Sequence, residues 1–271
     1  MQRETLRPLR EWPEAARAAI RLVFTDIDDT LTLHGRMPAT AYAAMERLTA
    51  AGLAVVPVTG RPAGWCDQIA RLWPVAGVVG ENGAFWFRHD AEAGRLVRRF
   101  LEDQETRAAH RARLAALGER ILAAVPGAAL ASDQLYRESD LAIDFREDVP
   151  PLPEEAVQRI VALFEAAGAI AKVSSIHVNG WFGRYDKLAM ARIFAREALG
   201  VDLDAAWDRA VYLGDSPNDA PMFAAFPQAV GVANLRRFAH CMDALPPYVT
   251  EGEGGHGFAE TAEAILAARG G

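Results

Sequence analysis

Leu22-Val23-Phe24-Thr25-Asp26-Ile27-Asp28-Asp29-Thr30 is an apolar run that ends in carboxylates, with Asp26 and Asp28 one residue apart. Short runs that are β-branched-rich and apolar on both faces are how strands inside a parallel sheet read. Four further segments follow the pattern: 53–58, 75–79, 210–213 and 230–233. Two of these also run out into polar residues. Val55-Val56-Pro57-Val58 leads into Thr59-Gly60-Arg61, and Val211-Tyr212-Leu213 leads into Gly214-Asp215-Ser216-Pro217-Asn218-Asp219. As parallel strands they would bring their ends to one sheet edge, where ligands bind in open α/β sheets.

Helical patterns lie between the runs. Segment 39–51 carries apolar positions at Tyr42, Met45 and Leu48 and stops at Gly52; 65–73 lies between Pro62 and Pro74; 188–199 stops at Gly200. Strand alternating with helix predicts an α/β core with a doubly wound, Rossmann-like parallel sheet. The middle of the chain differs. Segments 84–88 and 96–101 read as a hairpin, 104–124 as a long helix, 141–145 as a strand, 153–167 as a helix, and 169–174 and 176–182 as two more strands. That is a separate α+β unit, expected as an inserted cap over the site. The expected division is a core of 1–84 and 183–271 with a cap of 85–182.

The chain has 271 residues, half of them apolar and a quarter charged, enough for a buried core plus an insertion. Twenty-nine basic against thirty-six acidic residues give a net charge of −7, which argues against a nucleic-acid or anionic-membrane surface. A local cluster of cations can still hold a small anion. Cys66 and Cys241 lack metal-ligand spacing and read as reduced thiols, in keeping with the cytoplasm. Segment 1–21 has no apolar core of a signal peptide, and no stretch of about 20 apolar residues is long enough to span a membrane.

An Asp-x-Asp pair alone decides nothing, and Asp202-Leu203-Asp204 is a second one. It has no strand before it and reads as solvated loop, with Asp204 as a helix cap. Asp26 and Asp28 differ because a buried strand delivers them. One carboxylate there could attack phosphorus and carry the group, while the other gives a proton to the leaving oxygen and later takes one from water. A metal clip or a plain turn is the other reading. Carboxylates facing a phosphate need a divalent cation, and hard oxygen ligands favour Mg²⁺. Asp215 and Asp219 add carboxylates at spacing four. Thr59 offers a hydroxyl and Gly60 a closely approachable N–H. A helix after Arg61-Pro62 would aim its positive end at an anion. Lys187, at the start of an amphipathic stretch, offers an ammonium; alone it would read as surface decoration.

Asp26-Ile27-Asp28-Asp29-Thr30, Thr59-Gly60, Lys187 and Gly214 to Asp219 resemble motifs one to four of the haloacid dehalogenase-like hydrolase superfamily, in order and spacing. The cap between motifs two and three, Glu81-Asn82-Gly83 and Val232-Ala233-Asn234 resemble the Cof-type branch, which includes sugar-phosphate and mannosyl-3-phosphoglycerate phosphatases. The resemblance implies Asp26 as nucleophile and Asp28 as general acid/base. It implies Mg²⁺ on Asp26, Asp28 (through its main-chain carbonyl) and Asp215, with Asp219 in support. Thr59, Gly60, Lys187 and Asn218 would hold the phosphate. Asp29 departs from the pattern, which often has Gly there, and could crowd the turn or add charge.

The cap offers candidates for reading a substrate. His177, Asn179 and Trp181 alternate and so share one strand face, either the roof of a pocket or a half-exposed surface. Segment 132–138 reads first as solvated loop; Arg137 touching a substrate is the other reading. Arg184 could reach in from the hinge. The expected function is a Mg²⁺-dependent phosphatase of a small phosphorylated metabolite, a sugar or sugar-acid phosphate, acting through an aspartyl-phosphate. The alternatives are a phosphomutase of the same superfamily and a non-catalytic sugar-phosphate sensor. The oligomeric state is open.

Overall fold

Segment 22–25 forms a strand buried along its whole length, and its side chains alternate between two cores. The computed structural model describes residues 6–174 and 176–270; the first five residues of segment 1–21 lie outside it. The strands are β1 (Arg7–Pro8), β2 (Leu22–Thr25), β3 (Ala54–Pro57), β4 (Val78–Gly80), β5 (Phe85–Asp90), β6 (Arg95–Phe100), β7 (Ala129–Leu130), β8 (Leu141–Asp144), β9 (Ile170–Val173), β10 (His177–Trp181), β11 (Ala210–Gly214), β12 (Val230–Gly231) and β13 (Tyr248–Val249). The helices are α1 (Glu14–Ala19), α2 (Ala39–Ala50), α3 (Ala63–Leu72), α4 (Gln104–Ala124), α5 (Glu154–Ala166), α6 (Lys187–Leu199), α7 (Ala220–Ala225) and α8 (Gly254–Ala268).

The main sheet runs β1-β13-β12-β11-β2-β3, and every pairing in it is parallel. Val23 of β2 packs on one side with Met45 of α2, Ile69 of α3 and Phe258 of α8. Leu22 and Phe24 pack on the other with Phe194 of α6 and Met222 of α7. Helices therefore cover both faces, as a parallel sheet requires, and the fold is the expected α/β one.

A second sheet, β7-β8-β10-β9, is antiparallel and has its own core with α4 and α5, built on Leu117, Ile121, Ile143, Ile160 and Phe164. The hairpin β5–β6, expected in this unit, packs elsewhere. A parallel bridge from Val58 to Val79 leads from the main sheet into β4, which pairs with β5. Phe85 and Phe87 bury with Val23 and Ile69, and Trp86 with Phe194. On packing we propose that the inserted unit is 101–182.

Three readings need correction. Helix α8 went unpredicted, because it opens on Gly254-Gly255 and its apolar residues begin only at Phe258. Asp202 rather than Asp204 caps the short turn, accepting from the Asp204 N–H, while Asp204 pairs with Arg192. The run 230–233 ends as strand at Gly231, where a 3-10 turn begins at Ala233. Among the described residues no helix is long and apolar enough to cross a membrane.

Candidate active site

Strands β11, β2 and β3 are neighbours, so the residues after them meet. The ladder continues past the strands, from Asp26 N to Leu213 O at 2.9 Å and from Val58 N to Thr25 O at 2.8 Å. Asp26, Asp215 and Asp219 each offer a carboxylate oxygen within 4.8 Å of the others, and all three are buried. Lys187, the first residue of α6, reaches them from the opposite side. Its Nζ lies 3.1 Å from Asp26 and 3.0 Å from Asp219. Asp186 caps this helix by accepting from the Ala189 N–H.

Three buried carboxylates against one ammonium leave two negative charges uncompensated, the charge of one divalent cation. The titration behaviour reflects that deficit. Burial pushes the Asp26 carboxyl up to about 7; Lys187 opposes this, and Asp219 and Asp28 add to it. Burial, with Asp219 and Asp26, pushes Asp215 well above the carboxylate range. Burial pulls the Lys187 ammonium down, but Asp219 and Asp26 outweigh it and raise its pKa.

The two later acids are held differently. Asp219 is fully used: Lys187 and the Tyr212 hydroxyl donate to one oxygen, and the N–H groups of Asp215 and Ser216 donate to the other. A Cβ at Gly214 would stand 2.6 Å from Asp219, so only glycine admits this acid against the strand end. Asp215 accepts from Thr30 and Asn234, both at 3.2 Å, which orients it without exhausting its lone pairs. Thr30, Tyr212 and Asn234 had no expected role. Asn234 does end an apolar run, whereas Tyr212 reads in sequence as ordinary core.

Asp28 is met by Arg61, whose Nε and Nη2 donate to its carboxylate at 3.0 and 2.7 Å. Thr59 is buried and accepts from the Arg61 N–H, which leaves its hydroxyl proton free to donate. Gly60 lies against Asn82, and Asn218 accepts from the Ser216 hydroxyl. Asp26, Asp28, Gly60, Asn82 and Asn218 line one cavity together with His177 and Asn179 of the second sheet. Its free volume is about 30 Å³, room for a few waters at most.

Of the cap residues, His177, Asn179 and Arg137 line this cavity and Trp181 lines the one behind Lys187. His177, Asn179 and Trp181 form a buried face, not a half-exposed one. His177 Nε2 lies 2.8 Å from Glu147, Asn179 donates to Asp140, and Trp181 stacks on Tyr185. Segment 132–138 is no solvated loop at Arg137, which is buried between Asp133 and Asp140 and donates to Gly60 O at 3.0 Å. Arg184 is exposed and lines neither this cavity nor the one behind Lys187. Glu81 of the core accepts from the N–H groups of Glu138, Ser139 and Asp140, which fastens the cap loop down.

A family model described as haloacid dehalogenase-like hydrolase matches residues 23–113. The sequence matches no curated protein. Among solved structures, the chain is similar to the C-terminal domain of Candida albicans trehalose-6-phosphate phosphatase, at TM-score 0.69 and 13% identity, over 98% of this chain and 99% of that one. It is similar to protein 0175 of Thermoplasma acidophilum, at TM-score 0.68 and 19% identity, over 91% and 98%. A third is the sucrose-phosphatase of Synechocystis, at 0.62 and 14%, over 90% and 97%. The family match covers a third of the chain, and the solved structures share its fold over nine-tenths of its length or more.

Proposed function

We propose that this protein is a Mg²⁺-dependent phosphatase of a small phosphorylated metabolite, a sugar or sugar-acid phosphate, working through an aspartyl-phosphate on Asp26. The observation that carries the reading is the triad of buried carboxylates with Lys187 between two of them. Its charge deficit and all-oxygen donor set suit a hard divalent cation. Asp26 and Asp215 would hold it, with Asp219 fixing Lys187 and the loop. When bound, the metal neutralises charge on the transferring group.

In this reading Asp26 attacks phosphorus while the Lys187 ammonium and the Thr59 hydroxyl meet the phosphoryl oxygens. Asp28 protonates the leaving oxygen and then takes a proton from the attacking water. The narrow cavity, roofed by His177 and Asn179 of the second sheet, supports chemistry shielded from bulk water. The fold is shared with a sucrose-phosphatase and a trehalose-6-phosphate phosphatase, which supports the choice of a sugar phosphate.

The test is phosphate release from p-nitrophenyl phosphate with Mg²⁺ and with chelator. Asp26→Asn is expected to lower kcat at least about a thousandfold. An Asp26→Asn enzyme as active as the parent would overturn the mechanism.

A further inference from the structure

Two cavities meet under the cap. The first lies over Asp26; the second, behind Lys187, is walled by Trp181, Leu188, Pro221 and Met222. Asn82, Asn218 and Lys172 line both. Lys172 sits on β9 directly opposite Asn179 of β10, so the two side chains lie on the same face of the cap sheet. It is solvent-exposed and so stands at the cavity mouth.

The other cations lining these cavities are all matched. Arg61 is held by Asp28, Asp133 and Glu147. Arg137 is held by Asp133 and Asp140, and Lys187 by Asp26 and Asp219. Among the described residues Lys172 alone of the four has no carboxylate partner. Two further donors in the same walls, Asn82 Nδ2 and Trp181 Nε1, are buried without an acceptor. The carboxylates there are already engaged: Arg61 takes Asp28, and Asp186 caps α6. This end of the chamber has donors in surplus and lacks an anion. The phosphate, on the Thr59, Gly60 and Lys187 side, accounts for Asn82, which lies against Gly60, and leaves Lys172 at the mouth and Trp181 unmatched.

Resting on the phosphatase reading, we propose that Lys172 binds an anionic group on the leaving portion of the substrate. The substrates are then phosphate esters of hydroxy acids, carrying a carboxylate beside the phosphoryl group, rather than esters of neutral sugars. A point charge at the mouth suits this, because an ammonium on a flexible stem can meet a carboxylate at the end of the ester away from the phosphorus.

Matched pairs differing only in carboxylate against hydroxymethyl test it: 6-phosphogluconate with sorbitol 6-phosphate, and 3-phosphoglycerate with glycerol 3-phosphate. The readout is the ratio of kcat/KM, acid over neutral, for the parent, Lys172→Met, Lys172→Arg and Lys172→Glu. The parent is expected to favour the acid in at least one pair by about tenfold or more. Lys172→Met lowers that ratio at least fivefold, Lys172→Arg largely restores it, and Lys172→Glu brings it below one. Calorimetric binding of the better pair to Asp26→Asn protein is expected to follow the same order. A parent ratio near or below one in both pairs overturns the proposal, as does a Lys172→Met ratio within twofold of the parent's. No phosphate release from p-nitrophenyl phosphate would instead overturn the phosphatase reading beneath it. Release without acid preference overturns this inference alone.

Discussion

Asp29 holds a left-handed backbone, φ 55°, which explains why the motif often has glycine at this position. Aspartate is among the few other residues that tolerate it. The turn is secured by the Asp29 N–H donating to Thr32 and by Asn234 donating to the Asp29 carbonyl. The Asp29 carboxylate adds negative charge near the site and is one of the causes that raise the Asp215 pKa, after burial, Asp219 and Asp26. A second residue, Glu147, lends itself to a pH test. Contact with His177 holds its carboxyl below the ordinary value; burial opposes this, and Arg61, itself bound to Asp28 and Asp133, adds to it. Because the folded pKa is depressed, its contribution is complete above the unfolded value of 4.5 and is lost as pH falls through the folded one. Between pH 7 and pH 4 the parent should lose more stability than Glu147→Gln. The difference should be below about 1 kcal/mol, since Glu147 is partly exposed. Denaturant midpoints at the two pH values check it, and equal losses would refute it.

At the scale of elements, the cap depends on how closely β10 lies against α5. A Cβ on Gly180 would come within 2.1 Å of the Phe164 ring, which is fully buried in the cap core. Gly180→Ala should therefore destabilise the cap by about 1–3 kcal/mol through overpacking. Amide exchange should report faster opening in β8, β9 and β10, with β2, β3 and β11 unchanged. Uniform exchange across both sheets would show that the two units unfold as one. The hairpin β5–β6 makes a related point. Its sequence neighbours are in the cap, yet its aromatic residues bury in the core, because the bridge from Val58 to Val79 presents β4 as an edge for it to extend.

In the whole molecule, the cap is closed on the core by a few polar joints. Arg137 ties the cap loop to Gly60 O, Arg61 reaches Asp133 and Glu147, and Glu81 takes three N–H groups from 138–140. A chamber with about 30 Å³ free does not admit a sugar phosphate, so substrate entry requires these joints to part. Arg137→Met removes one of them and leaves Asp133 and Asp140 short of a partner, at a cost of about 3–5 kcal/mol. It should enlarge the radius of gyration in solution scattering and speed proteolysis between 101 and 103, with the circular dichroism unchanged. An unchanged radius of gyration and cleavage rate would mean the cap is held by something other than Arg137.

The sequence by itself determined the α/β class, the strand ends that carry Asp26, Thr59 and Asp215, and the long helix 104–124. These features are local: continuous apolar runs and capping residues declare themselves within a few positions. Only the tertiary structure decided that Asp219 is spent on Lys187 and Tyr212, and that Arg137 is buried. It also decided that Glu81 fastens a loop more than fifty residues away, and that the β5–β6 hairpin belongs with the core. The physical reason is that a charged side chain in a loop looks the same in sequence whether it meets water or a partner. Its desolvation is offset by groups distant in the chain, and only the folded arrangement brings them within reach.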